Sequence, residues 1–214
     1  MNKLFDELKK FNDIVGVIDE STLQEKFREL AKTFLYGGYI QVNKDYKVYI
    51  RTVEFYFHSE KESGIHDPIV YHRNGRNMKN VPYFPLMSLH AHKSGFDITF
   101  EKEGEYRASA LIRSYEVKNK KGSLYLKWDS KEGMFVESSE YKYNKQSTCL
   151  YELLNGFSLG NGNNIKWIDS PTARTKEITE KTRQNVFQSE SDWEYIKTDK
   201  KCERKWSFTR EETI

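Results

Sequence analysis

The chain has 214 residues and a formal net charge of +3, and this length allows one sizeable hydrophobic core. Hydrophobic residues make up 37% and aromatic residues 14% of the chain, and the large area that buried aromatic side chains supply favours a folded protein over a disordered one. No apolar run approaches the roughly 18 residues that a membrane-spanning helix needs, so the sequence predicts no transmembrane segment and no membrane partner. The mild positive charge permits a nucleic-acid partner without requiring one.

Two helices are predicted at the start of the chain. Apolar residues at helical spacing predict a short N-terminal helix within residues 1–20 that packs on the body of the protein. A longer apolar stripe spans residues 23–35, and Ser21 or Thr22 is predicted to cap this second helix. Gly37 is expected to end it, because glycine is common at helix C-termini.

A β-hairpin is predicted directly after these helices. Residues 39–42 and 47–57 are rich in β-branched and aromatic side chains and flank the turn residues 43–45. Simple alternation places four side chains of the second strand on one face: Ile50, Thr52, Glu54 and Tyr56. A carboxylate and an aromatic ring are therefore expected side by side on a largely apolar strand.

The remaining elements complete an α+β pattern. Four further strands are predicted, in residues 87–100, 107–118, 124–128 and 134–137. A short leucine-rich helix is predicted near residues 146–154, and closing strands are predicted after residue 185. The order of these elements indicates one mixed α+β domain that covers residues 1–214.

All five histidines lie within residues 58–92, in and after a long segment with few periodic apolar residues. His90 and His92 are two residues apart on a predicted strand and would present both imidazoles on one face, where Asp67 or Asp97 could complete a set of metal ligands. The chain has no closely spaced ligand signature such as HExxH or paired CxxC. A metal-dependent or small-molecule enzyme that uses the His58–His92 cluster is therefore one open interpretation.

Glu54 lies near the end of an apolar strand, where an ionised carboxylate needs a partner. It can act as a general base towards water, or it can form an ordinary ion pair with Arg51 or Arg113. Tyr56 points to the same face, and His66 follows in the next loop. Arg113 ends an apolar run and keeps its charge, so it must meet an acid. Together these residues form a candidate active site in which water is activated beside a flat substrate.

The same residues belong to a longer ordered set. Glu54-Phe55-Tyr56 is followed by His66, Arg73-Asn74, Leu111-Ile112-Arg113 and Glu116. In order and spacing this set resembles the alkyladenine (3-methyladenine) DNA glycosylase family. The resemblance covers residues 25–210 in outline and includes the helix before the first strand and the late leucine-rich helix.

The resemblance implies a monofunctional base-excision enzyme that needs no metal and no cofactor. A damaged or alkylated purine would be flipped out of DNA, and its bond to the sugar would be hydrolysed without a covalent enzyme intermediate. Glu54 would activate the water, Arg113 would hold the water and the carboxylate, and Tyr56 with His66 would sandwich the base. The implied fold is a curved, mostly antiparallel β-sheet flanked by helices.

The segment that would touch DNA differs from the family pattern at three positions. His90, followed by Ala91, stands where the family inserts a tyrosine into the gap left by the flipped nucleotide, so His90 is the predicted DNA wedge. Met87 replaces another stacking tyrosine, and Asp97 replaces an asparagine beside the base. We expect Met87 and Asp97 to be base-binding residues. These replacements leave the lesion open, and also whether the DNA is duplex or single-stranded.

Cellular location and partners follow from weaker signals. Cys149 and Cys202 have neither metal-binding nor redox spacing, and the first residues are charged, so we expect a cytoplasmic protein with free thiols. We also expect a monomer. Lys118, Lys120 and Lys121 form a basic turn that either contacts phosphates or is simply solvated. A nucleic-acid-binding relative that has lost catalysis therefore remains a second alternative to the glycosylase.

Overall fold

The computed structural model describes residues 2–14, 19–67, 69–70, 81–92, 95–122, 124–140, 144, 150, 153, 165–170, 177–183 and 204–211. The described residues form two helices, α1 (Lys3–Ile14) and α2 (Glu20–Tyr36). They also form ten strands: β1 (Gly38–Val42), β2 (Tyr46–Ser59), β3 (Leu89–His92), β4 (Gly95–Thr99), β5 (Tyr106–Asn119), β6 (Tyr125–Asp129), β7 (Met134–Ser138), β8 (Ile165–Asp169), β9 (Ile178–Lys181) and β10 (Ser207–Arg210). Neither helix is long and apolar enough to cross a membrane.

Several predicted features lie wholly or largely outside the described residues. They are the helix near residues 146–154, the strand regions 186–187 and 193–196, and the residues Arg73, Asn74, Cys149 and Cys202.

The two predicted N-terminal helices are present, but the N-cap of α2 differs from the prediction. Asp19 is the N-cap, and its Oδ1 accepts hydrogen bonds from the Ser21 hydroxyl at 2.6 Å and from the Thr22 backbone N–H at 2.9 Å. Capping by Ser21 or Thr22 is therefore wrong, because a charged acceptor just upstream takes that place. These hydrogen bonds, from Ser21 first and then from Thr22, hold the pKa of Asp19 well below its ordinary value. Gly37 ends the helix as predicted.

An aromatic layer holds both helices on one face of the sheet. The ring of Phe27 on α2 stacks on that of Phe55 on β2, with a centroid distance of 4.6 Å and an interplanar angle of 6°. The ring of Trp206 meets that of Phe27 edge-on at 5.0 Å, and the ring of Phe11 on α1 stacks on that of Phe27 at 5.8 Å. Such ring pairs bury large areas and add favourable contact geometry. The aromatic content therefore compensates for the low fraction of hydrophobic residues.

All ten strands of the described residues belong to one antiparallel, partly curled sheet, which confirms the α+β class. The strands β2 and β5 are each 14 residues long and pair along their whole length at its centre. β1 and β10 pair with the other edge of β2, while β4 and β6 pair with the other edge of β5. Four short strands extend these neighbours outward: β3, β7, β8 and β9.

The segment 87–100, predicted as one strand, contains the two strands β3 and β4, which pair as a hairpin. The chain reverses between His92 and Gly95, and Gly95 has a φ angle of 137°, a conformation that residues with a side chain rarely adopt. The single-strand prediction is wrong because Gly95 lies where the chain reverses and is not an interior residue of one strand. The sequence also failed to predict β8 and β9, which are only five and four residues long.

β2 and β5 each carry one inserted residue at the same level of the sheet. The register shifts on both sides of Thr52, where Arg51 is the inserted residue of β2 and Arg113 that of β5. Each insertion changes the face on which the following side chains lie. Ile50 is therefore buried in the core at 0% exposure, whereas Glu54 lies on the opposite face. The prediction that Ile50 and Glu54 share a face is wrong for this reason.

A buried arginine fixes the segment before β3 to the sheet. Arg107 of β5 is 0% exposed and donates hydrogen bonds to the carboxylates of Glu60 and Glu101, both at 3.1 Å. It also donates to the Pro82 carbonyl at 2.9 Å, and its guanidinium lies 3.6 Å from the centre of the Tyr83 ring. Arginine keeps its charge when buried, so it needs this many partners. The chain at Pro82 and Tyr83 is therefore held beside the face of the sheet that carries Glu54.

The aromatic layer gives a first prediction. Phe55→Ala should lower the free energy of unfolding by about 3–5 kcal/mol, because the ring is 0% exposed and stacks on Phe27. Urea denaturation followed by circular dichroism measures the change. Phe5→Ala is the matched control, because Phe5 is 39% exposed on α1, and the loss there should stay below about 1 kcal/mol. Equal losses in both variants would contradict the described core.

Candidate functional site

The sheet face opposite the helices carries a buried polar cluster. The register places Asp97 of β4 and Glu54 of β2 on either side of Leu111 of β5. Directly paired residues of an antiparallel sheet point to the same face, so both carboxylates belong to the face opposite Phe55. Glu54 is 1% and Asp97 3% exposed. Charges buried to this extent require partners close by.

Tyr56 and Arg113 contact the same oxygen of Glu54. The Tyr56 hydroxyl donates to Oε2 at 3.0 Å, and Arg113 Nε lies 3.4 Å from the same atom. The side chain of Arg113 is 23% exposed, so the ion pair links a buried carboxylate to the protein surface. The structure thus brings together three of the predicted site residues, and the ion pair that the sequence offered as an alternative is formed with Arg113.

A second ion pair joins the same two strands. It involves Arg51, the inserted residue of β2, as the first pair involves Arg113, the inserted residue of β5. Arg51 Nη1 lies 2.9 Å from Glu116 Oε1, and the two side chains are only 8% and 5% exposed. Each inserted arginine therefore pairs with a glutamate of the neighbouring strand. In both strands the glutamate stands three residues after the arginine, in residues 51–54 and 113–116. The strands contribute the same Arg-x-x-Glu pattern, and the ion pairs cross between them.

Tyr56 lies between the carboxylate of Glu54 and the guanidinium of Arg183. Its hydroxyl bonds to Glu54, and the Arg183 guanidinium carbon lies 4.7 Å from the ring centre. Burial first, and then the negative charge of Glu54, raise the pKa of Tyr56 well above its ordinary value. Tyr56 therefore remains a neutral hydrogen-bond donor to Glu54 across the physiological pH range.

Arg183 and Asp67 form a buried ion pair beside Tyr56 that sequence reasoning missed. Arg183 Nη1 lies 2.5 Å from Asp67 Oδ2 and also donates to the Phe55 carbonyl at 3.1 Å. Burial alone would lower the pKa of Arg183, but the charge and hydrogen bonds of Asp67 raise it. The sequence pattern indicated Asp67 only as a possible metal ligand. No spacing signal reveals the pair, because 116 positions separate its members.

His66 contacts His58, which lies next to the polar cluster. The two imidazoles stack with a centroid distance of 5.1 Å, and His66 Nε2 lies 2.9 Å from the Lys61 carbonyl. His58 follows Tyr56 by two residues on β2 and therefore points to the same face. His66 thus packs one step further along the strand than Tyr56. Its role as a base-stacking partner stays a prediction.

Asp97 and His90 lie on the β3–β4 hairpin. Asp97 Oδ2 accepts a hydrogen bond from the Ser109 hydroxyl at 2.9 Å, and Oδ1 lies 3.1 Å from His92 Nε2. His90 pairs with Asp97 in the register and is half-buried, with its ring stacked 4.3 Å from that of Phe84. The predicted wedge residue thus packs against a neighbour in this structure. The wedge role stays a prediction.

Met87 occupies the turn that leads into β3. It has a φ of 62°, which is rare for a residue with a side chain, and its backbone N–H donates to the Thr99 carbonyl at 2.8 Å. The side chain is partly buried against the core cluster. Its base-binding role also stays a prediction.

The histidine cluster is only partly described. His90 and His92 share a face, as their spacing predicts, with ring centroids 5.5 Å apart. Within the part of the chain that the structure describes, no group of three or more His, Cys, Asp or Glu side chains is placed to hold a metal ion. His72 lies outside that part.

The resemblance to the glycosylase family rests on the order and spacing of the motif residues in the sequence. Searches with the whole chain against protein-family models, curated proteins and solved structures found no match. The α+β class is a property of the structure, while likeness to the glycosylase fold stays a prediction.

The Glu54–Arg113 ion pair gives a second prediction. Arg113→Met should destabilise the protein by about 2–3 kcal/mol, because the Glu54 carboxylate then stays buried without its guanidinium partner. Adding Glu54→Gln removes the charge and should recover part of this loss. Urea denaturation of both single variants and the double variant measures the coupling.

A surface ion pair provides the control for this cycle. Lys10 and Glu7 approach to 3.1 Å with side chains 66% and 35% exposed, so Lys10→Met should cost less than about 1 kcal/mol. Strictly additive losses for Glu54 and Arg113 would show that the pair contributes no coupling.

The raised pKa of Tyr56 gives a third prediction. Above the ordinary tyrosine pKa of 10.0 the folded protein holds a proton that the unfolded chain releases, so the stabilising effect is complete below that pH and is lost as the pH rises. Tyr56→Phe should therefore lose less stability than wild type when the pH rises from about 9 to about 11. Thermal unfolding at both pH values tests this. Tyr46→Phe is the control on the same strand, and an identical loss in all three proteins would refute the prediction.

Proposed function

We propose that this protein is a DNA base-excision hydrolase, a monofunctional N-glycosylase that removes a damaged or alkylated purine. The observation that carries the proposal is the convergence of Tyr56 and Arg113 on one oxygen of a carboxylate that is 1% exposed. A carboxylate held in this way is oriented before substrate binds, which is the condition for an efficient general base. The order of motif residues along the chain supports the same proposal.

The proposed reaction is hydrolysis of the bond between base and sugar. Glu54 takes a proton from a water molecule as the water oxygen attacks C1′ of the sugar, and the C–N bond breaks with its electron pair leaving on the base. Positive charge develops on the sugar in such a step, and the negative charge of Glu54 stabilises it. Arg113 orients the carboxylate and the water. Because water is the only co-reactant, the reaction needs no cofactor.

The flipped base is proposed to lie on the polar face, among side chains of three strands. Asp97 and Glu54 pair with Leu111 of β5 from either side, so their Cβ atoms are about 10 Å apart, and the base is proposed to lie over the Leu111 side chain. Asp97 can accept hydrogen bonds from an exocyclic amino group. Tyr56 and His66 supply stacking surfaces, which are worth about 1–3 kcal/mol per base and offset the cost of flipping.

Two further predicted residues belong to this proposal. Met87 would contact the base from the turn before β3, and His90 would fill the gap in the DNA after its ring leaves Phe84. The proposed partner is damaged DNA, bound by a monomer in the cytoplasm.

A base-release assay tests the proposal and is the fourth prediction. Duplex and single-stranded oligonucleotides with 3-methyladenine, hypoxanthine or ethenoadenine are incubated with the protein, and free base is measured. Glu54→Gln should slow release at least about 10²-fold, as loss of a general base does. Glu116→Gln is the matched control, because Glu116 belongs to the companion ion pair with Arg51 and should retain activity.

The outcomes separate the alternatives. Equal rates for Glu54→Gln and wild type would remove Glu54 from the mechanism. If wild type releases no base from any lesion but binds the same oligonucleotides, the protein is a nucleic-acid-binding relative without catalysis. If base release requires an added divalent metal, the histidine cluster becomes the site of interest.

A further inference from the structure

A row of basic and aromatic residues crosses the other end of the polar face. The register aligns Lys166 of β8, Gln41 of β1, Lys47 of β2, Lys118 of β5 and Tyr125 of β6 in one line, here named the basic row. Neighbouring strands lie about 4.8 Å apart, so the row is about 19 Å long. Lys166 is exposed and the other four residues are half-buried.

The basic row faces away from the hydrophobic core. The residue next to each member along its strand belongs to the core: Trp167, Ile40, Val48, Val117 and Leu126. Because side chains alternate along a strand, the row points to the opposite face, the same face as Glu54. Lys47 and Glu54 both lie on β2, about 20 Å apart along the strand.

The central charge pair of this row is unfavourable by itself. Lys47 lies directly opposite Lys118, and like charges at directly paired positions destabilise a sheet. Glu116, which lies two residues before Lys118 on this face, is bound by Arg51 at 2.9 Å. A bound polyanion would relieve the repulsion between the two ammonium groups, so the row has charge complementarity to phosphate.

Tyrosine rings alternate with these lysines. Lys47 Nζ lies 5.5 Å from the ring centre of Tyr39, and Lys118 Nζ lies 5.5 Å from that of Tyr49 and 4.7 Å from that of Tyr125. Tyr39 and Tyr49 contact each other at 5.2 Å. All three tyrosines are half-buried, so each presents part of its ring to solvent.

We propose that the basic row and these three tyrosines bind a segment of single-stranded DNA. Lysines that track phosphates, combined with aromatic rings on which bases stack, are the combination that binds single strands without sequence preference. Duplex DNA shields its bases and would use the lysines alone. The basic turn with Lys120 and Lys121 follows β5 directly and extends the positive surface.

The choice of DNA over RNA rests on the proposed function, whereas binding of a single strand does not. The surface would hold undamaged nucleotides about 20 Å from Glu54, which assigns it to substrate capture and excludes a role in bond cleavage. Binding and base release can therefore fail separately.

Fluorescence anisotropy with a labelled 20-nucleotide single strand tests this fifth prediction. The double variant K47A/K118A should bind at least tenfold more weakly than wild type. It should also show a shallower dependence of affinity on salt, with the logarithmic slope reduced by about 1.4, because two phosphate contacts are lost. Tyr125→Leu should weaken binding about tenfold with the salt slope unchanged, because it removes stacking and no charge.

Controls keep the interpretation specific. K9A/K10A removes the same charge from the exposed side of α1, on the opposite face of the sheet, and should leave binding unchanged. K47A/K118A should remain as stable as wild type in urea, because the substitution removes a like-charge pair.

Three results would overturn the proposal. They are undetectable binding by wild type at 50 mM salt, unchanged affinity of K47A/K118A, and tighter binding of RNA of the same sequence. Strand binding that depends on the row, with no base release from any lesion, would support single-strand binding by the row and refute the proposed function. Base release, together with strand binding that does not depend on the row, would support the proposed function and refute binding by the row.

Discussion

The paired insertion of Arg51 and Arg113 determines which side of this protein is polar. A single inserted residue would break the register of two long strands, but an insertion in each lets pairing resume on both sides. Without the shift, simple alternation would direct Glu54 to the same face as Ile50, into the aromatic core. The polar cluster, its ion pairs and the proposed chemistry all depend on this local irregularity.

Arginine compensates the buried acids of this face. Four buried carboxylates among the described residues each pair with a guanidinium group: Glu54 with Arg113, Glu116 with Arg51, Asp67 with Arg183 and Glu101 with Arg107. A guanidinium keeps its charge when buried and offers several donors in a fixed plane, so it can hold a carboxylate in one orientation. Such pairs contribute orientation more than stability, because desolvation offsets much of their attraction. The helices therefore need to cover only the other face.

Local patterns in the sequence predicted what depends on neighbours along the chain. The two helices and the hairpin turn at residues 43–45 follow from spacing and turn residues, and the structure has them. The change of face at Thr52 was not predicted, because alternation carries no record of an inserted residue. The repeated Arg-x-x-Glu pattern was visible, but its meaning requires two strands to be paired. Asp67 and Arg183 could not be linked at all, since only the folded chain brings them together.

The edge of β2 beside Glu54 pairs with β10, a strand far away in sequence. Ser207 of β10 pairs with Glu54, and Thr52 contacts Thr209 across 157 positions of the chain. Pairing of strands that are far apart in sequence first closes a large loop, which costs chain entropy before any contact forms. Such pairing is therefore slow and occurs late in folding. During synthesis on the ribosome, the edge of β2 beside Glu54 therefore stays open until almost the whole described chain has emerged. In that interval the exposed strand can pair with a second copy, which makes this edge the point where misassembly would begin.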